Sequence, residues 1–70
     1  MLFRSAEREV KIVNAMRRVG PATLETLLPQ AYSDTPERMH PVAASSLLAH
    51  LQKLVEERRA VEKEGRWALV

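Results

Sequence analysis

The eighteen residues HPVAASSLLAHLQKLVEE, His40–Glu57, admit few arrangements other than a helix with one buried side. Ala44, Leu47, Leu48, Leu51, Leu54 and Val55 recur at three- and four-residue intervals, the spacing of one helix face. Pro41 suits the first helical turn, where its missing N–H has no intrahelical partner to lose. Ser45, Ser46, Ala49, Gln52, Lys53 and Glu56 then point to solvent or to a partner. A helix of this kind needs other elements to cover its leucines, and the rest of the chain supplies them.

Ahead of it, Ser5–Arg18 reads as a helix capped by Ser5, with Val10, Ile12, Val13, Met16 and Val19 as its apolar stripe. Arg4, Arg8, Lys11 and Arg18 lie mostly off that stripe, and Glu7 with Lys11 makes a favourable pair at four-residue spacing. Leu2 and Phe3 precede the cap, to fold back on the core or to meet a further domain. Gly20-Pro21 stops the helix. Ala22 can then add a very short strand to a sheet edge before Thr23 caps a second helix, Leu24–Tyr32, which offers Leu24, Leu27, Leu28 and Ala31 to the core. Pro29 removes the bond to the Glu25 carbonyl and predicts a kink or an early end. Ser33–Met39 is a loop, within which Thr35-Pro36 can open one more helical turn.

The end of the chain reads as a hairpin. Val61, Trp67 and Leu69 are expected on its buried face, and a three-residue loop, Lys63-Glu64-Gly65, sets Val61 across from Trp67. A two-residue turn at Glu64-Gly65 instead sets Val61 across from Ala68; the three-residue loop is preferred. The order helix, short strand, helix, helix, hairpin is that of a winged helix-turn-helix: mainly α, three helices plus a wing, in a single domain over residues 1–70. That reading requires the leucines of the third helix to face inward and Val61 and Trp67 to share one side of the hairpin.

Several function classes recede on composition. Without cysteine there is no disulfide and no thiolate metal site. No run approaches the roughly 18–20 apolar residues of a membrane span, and Met1–Phe3 is too short for the core of a signal peptide. A cytoplasmic protein with no membrane partner is expected. His40 and His50 are ten residues apart, roughly 280° and about 15 Å along a helix, so they cannot grip one metal. Neither a Gly-rich phosphate loop nor a nucleophile with its base is visible, so the chain is expected not to be an enzyme and to hold no cofactor.

Eleven basic against nine acidic residues leave a net charge of only +2, so its distribution matters more than its sum. Residues 1–19 carry five positive and two negative charges, and residues 58–70 carry Arg58, Arg59, Lys63 and Arg66 against Glu62 and Glu64. These four cations, with Lys53, Ser45 and Ser46 on the third helix, are the candidate nucleic-acid contacts: phosphate for the cations, phosphate or base edges for the serines. A solvated charged hairpin is an equal reading of the same four cations, and Glu56 and Glu57 weaken the case for the helix. His50 reads as a half-buried histidine with its polar atoms satisfied, His40 as part of the helix start, and Trp67 as core with its N–H at the rim. Tyr32 is expected to pack, with its hydroxyl wet or hydrogen-bonded.

The pattern GPATLETLLPQAY, then SDTPERMHPVAASSLLAHLQKL, then GRWALV resembles the C-terminal winged-helix domain of metallo-β-lactamase-fold hydrolases. The likeness is to the β-lactamase-like protein 2 type, some of whose members are endoribonucleases. It runs from about Glu9 to Leu69, and its most specific part is Tyr32, Asp34-Thr35-Pro36, His40, Ala44, Leu48, Ala49-His50-Leu51 and Lys53-Leu54. Pro29 departs from the pattern, and so does Arg58, which stands where the family has glycine; a left-handed turn there costs about 1 kcal/mol without it. The resemblance implies an accessory domain in the same polypeptide as a catalytic domain that carries the zinc ligands in a His-x-His-x-Asp-His motif. In that setting the winged helix would aid nucleic-acid binding, RNA or DNA, or shape the mouth of the active site. Two other classes remain open: a stand-alone DNA-binding regulator, and a structural domain that docks on its parent or forms a homodimer. The near-absence of base-reading Arg, Asn or Gln on the third helix argues against the regulator.

Overall fold

A computed structural model describes the backbone of residues 2–70 and the side chains from residue 7 onward. Its elements run α1 (Leu2–Val19), β1 (Ala22–Thr23), α2 (Leu24–Ala31), a 3-10 turn (Glu37–Met39), α3 (His40–Glu56), β2 (Ala60–Lys63) and β3 (Arg66–Leu69). Three helices and a three-stranded antiparallel sheet of order β1-β3-β2 make up the winged-helix architecture.

Local chemistry explains most of the boundaries. Helix α1 begins at Leu2, so Ser5 lies inside it and is not its cap. It ends where Gly20, at φ 79°, donates its N–H to the Met16 carbonyl, the single-bond left-handed closure that glycine adopts without a Cβ clash. Thr23 then caps α2, its hydroxyl accepting the Thr26 N–H. Pro29 leaves that helix only two more residues before Tyr32, whose N–H bonds the Leu28 carbonyl. Pro36 opens the single turn Glu37–Met39, as Thr35-Pro36 suggested, and α3 follows with proline in its first turn.

The core is one cluster built on α3. Ile12, Met16, Leu27, Leu47, Leu51 and Leu54 are each less than 2 % exposed or close to it, and Ala15, Ala31 and Tyr32 are buried with them. Two helix faces differ in detail from the sequence reading. On α3 the row Ala43, Leu47, Leu51, Leu54 is fully buried, while Ala44, Leu48 and Val55 sit at its half-buried edge. On α1, Val10 is 57 % exposed, because Ile12, Val13, Ala15 and Met16 centre the face one side further round. The side chains of Leu2 and Phe3, and the fate expected for them, lie outside the described residues.

The hairpin corrects the expected register. Lys63 pairs with Arg66 and Val61 with Ala68, which leaves a two-residue turn at Glu64-Gly65. Both turn residues have positive φ, 54° and 80°, the twist that matches a right-handed hairpin, and the Glu62 carboxylate accepts the Gly65 N–H at 2.7 Å. Alternation then places Ala60, Glu62, Trp67 and Leu69 on the helix side, and Val61, Lys63, Arg66 and Ala68 on the other. Val61 is 50 % exposed and on the opposite face from Trp67. The fold survives this reversal because Ala60, 2 % exposed, fills the place beside α3 that Val61 was expected to take. A small residue fits where the chain turns straight from helix into strand.

That turn carries the left-handed residue the family pattern implied. Arg58 stands at φ 61°, with its N–H on the Val55 carbonyl and the Arg59 N–H on the Leu54 carbonyl. These are the two bonds of a Schellman closure, which favours glycine. Replacing Arg58 with Gly should therefore raise the free energy of unfolding by about 1 kcal/mol in urea titration. Leu51→Ala should lower it by about 2–5 kcal/mol in the same measurement, since Leu51 is wholly buried and its truncation leaves a cavity in the core.

Candidate functional site

The seven candidate contact residues do not form one surface. Ser45 is exposed on the outward side of α3. Ser46, one residue on, accepts the Tyr32 hydroxyl at 3.0 Å, so it is the polar partner of a buried tyrosine. Lys53 and Arg59 are both held by Glu9: Lys53 Nζ donates to one carboxylate oxygen at 3.1 Å and Arg59 to the other at 2.8 Å. Glu57 lies beside the same two cations, 4.0 Å from Lys53 and 3.4 Å from Arg59. Arg58, Lys63 and Arg66 are exposed and make no ion pair among the described residues. Lys63 and Arg66 face each other across the wing tip, while Arg58 sits before the start of β2.

Two acids anchor the basic side chains: Glu9, which no motif marked, and Asp34, which the family pattern contains but whose ion pairs the sequence did not indicate. Glu9, its side chain 18 % exposed, ties α1 to the end of α3 and to the turn beyond it. Hydrogen bonds first from Arg59 and then from Lys53 hold its carboxyl below the ordinary value of 4.5, and Glu9 in turn raises the Arg59 guanidinium. Asp34 does the same between α1 and the end of α2. It accepts from Lys11 at 2.8 Å and from Arg8 at 3.2 Å, and these bonds, Lys11 foremost, hold its carboxyl well below the usual carboxylate range. Lys11 thus goes to Asp34 and not to Glu7, as its helical spacing had suggested. Arg8 also donates to the Ala31 carbonyl at 2.8 Å and lies 4.3 Å from the centroid of the Tyr32 ring, a cation–π contact. The only sequence signal for Glu9 is that it sits one helical turn before Val13, at the margin of the buried face.

His50 is half-buried on α3, and burial pushes its imidazole below the ordinary 6.5. Trp67 is half-buried against the core at the foot of the wing. Between α3 and the wing runs a groove of about 440 Å³ lined by Gln52, Val55, Glu56, Glu62 and Trp67. The described residues contain no group of three or more His, Cys, Asp or Glu placed to hold a metal ion. Among them, too, no helix is long and apolar enough to cross a membrane.

Three packed helices and a wing whose central strand is β3 define a winged-helix domain. Residues 23–67 match the family model of the beta-lactamase associated winged helix domain, and the chain belongs to that family. No curated protein and no solved structure matches it significantly.

The titrating groups fix the sign of the acid response. His50 has a lowered folded-state value, so the unfolded chain takes up its proton first and stability falls as pH drops below 6.5. Glu9 and Asp34 are also lowered; their contributions are complete above the ordinary carboxylate values and are lost as pH falls below about 4.5. Thermal unfolding followed by circular dichroism should show both losses in turn. Glu9→Gln should lower the midpoint at neutral pH and flatten the second loss, and it should deepen the first, because the Glu9 charge raises His50 against burial.

Proposed function

We propose that this chain is a non-catalytic accessory domain of a zinc-dependent metallo-β-lactamase-fold hydrolase, ribonucleases among them, which helps to hold a nucleic-acid substrate or shapes the mouth of the active site. The family match over residues 23–67 carries this reading. The zinc and its ligands belong to the catalytic domain of the same polypeptide, and no step of hydrolysis falls to the residues described above. What this domain offers a polyanion is the outward pair Lys63 and Arg66, with Arg58 and Ser45 as outlying contacts. Lys53, Arg59 and Ser46 are already engaged within the fold and have less to give.

A second reading, docking on the catalytic domain without contact to nucleic acid, is favoured by that engagement, since it leaves few free cations. The stand-alone DNA regulator is the weaker alternative. The outward row of α3, Val42, Ser45, Ala49, Gln52 and Glu56, has a single side chain able to read a base bidentately.

Fluorescence anisotropy of the chain with labelled single-stranded RNA at low salt tests the substrate role. Binding should be weak and weaken gently with salt, at a slope of about 0.7 per phosphate neutralised and few phosphates in all. Reversing Lys63 and Arg66 to Glu should weaken it for every RNA sequence alike. Absence of binding, or binding indifferent to those reversals, would leave the docking reading. The parentage is tested separately: the reading frame followed upstream of the Met1 codon should encode a His-x-His-x-Asp-His motif, and a frame without a hydrolase domain would overturn it.

A further inference from the structure

We infer that the groove between α3 and the wing is a docking site for a protein segment that presents an arginine between apolar residues. This goes beyond the accessory reading and does not depend on it. The groove combines three features drawn from three elements, α3, β2 and β3. Its apolar lining is Val55 of α3 and the half-buried Trp67 of β3. Carboxylates flank it on both sides, Glu56 from the last turn of α3 and Glu62 from β2, directly across the hairpin from Trp67. No cation is among its lining residues, because alternation sends Lys63 and Arg66 to the opposite face of the wing and Glu9 holds Lys53 and Arg59.

The same molecule contains a filled version of this arrangement. At the junction of α1 and α2, Arg8 lies over the Tyr32 ring and bonds the Asp34 carboxylate. Aromatic ring, carboxylate and guanidinium are all present there, whereas the α3–wing groove has the ring and two carboxylates and lacks the guanidinium. Planar guanidinium is also the cation best suited to stack on an indole while donating to carboxylates on either side. Glu56 is free to accept, and Glu62 keeps one oxygen for a ligand while the other takes the Gly65 N–H. Phosphate, by contrast, would meet two negative charges at the groove, so a nucleic-acid backbone is the wrong chemistry for this face.

Trp67 is the only tryptophan in the chain, so its emission reports on this groove directly. The experiment titrates the 70-residue chain with the blocked pentapeptide acetyl-Ala-Leu-Arg-Leu-Ala-amide, and with counterparts carrying lysine or citrulline in place of arginine. Saturable change in Trp67 emission is expected with arginine, weaker binding with lysine, and at least about tenfold weaker binding with uncharged citrulline. The double variant E56Q/E62Q, exposed at both positions and still able to accept the Gly65 N–H, should lose about tenfold in affinity for the arginine peptide with an unchanged circular dichroism spectrum. No saturable change, equal binding of citrulline, or an unaffected E56Q/E62Q variant would each overturn the assignment. So would a larger response to single-stranded RNA than to the arginine peptide, or self-association of the chain that itself buries Trp67, measured by sedimentation.

Discussion

Removal of the α3 leucines from water is the condition on which every other feature of this domain rests. Leu47, Leu51 and Leu54 are completely buried, and each such side chain contributes about 1.5–3 kcal/mol relative to exposure. Ile12 and Met16 from α1 and Leu27 from α2 close over them, and Ala60 brings the sheet to the same core. The buried residues among those described form this one core cluster. The wing, the turn at Arg58 and the groove beside Trp67 are all positioned by where that helix ends.

Around this core the charged residues serve as ties between elements. Glu9 and Asp34 each gather two cations from a distant part of the chain, so four of the eleven basic residues are spent on holding the domain together. This is why a count of cations on the wing and α3 overstates the polyanion surface. The outward pair at the wing tip remains, and the α3–wing groove has the opposite character, apolar with acidic sides.

The helices were legible because their signals are local: the spacing of Leu47, Leu51 and Leu54, the proline at the start of α3, the Thr23 cap, and Gly20 after α1. Arg58 was legible too, since a glycine position in the family pattern marks a left-handed turn whatever residue occupies it. The start of α1 was not, because Ser5 is a good cap that the helix simply runs past. Nor was the hairpin register. Alternation allowed both loop lengths, and the choice was made by the fit of Ala60 under α3, a tertiary contact that local pattern does not encode. The ion ties were invisible for a similar reason: Glu9 meets its partners 44 and 50 residues away, and Asp34 meets Arg8 across 26.

The strand order has a consequence for how the domain comes into being on the ribosome. β3 follows the other two strands in sequence yet lies between them in space, bonded to Ala22–Thr23 on one edge and to β2 on the other. Until Arg66–Leu69 has emerged, neither outer strand has a neighbour to bond, so the sheet cannot form before its last strand is made. That one strand joins β2 to Ala22–Thr23 at the entrance to α2 and lays Trp67 and Leu69 against the core.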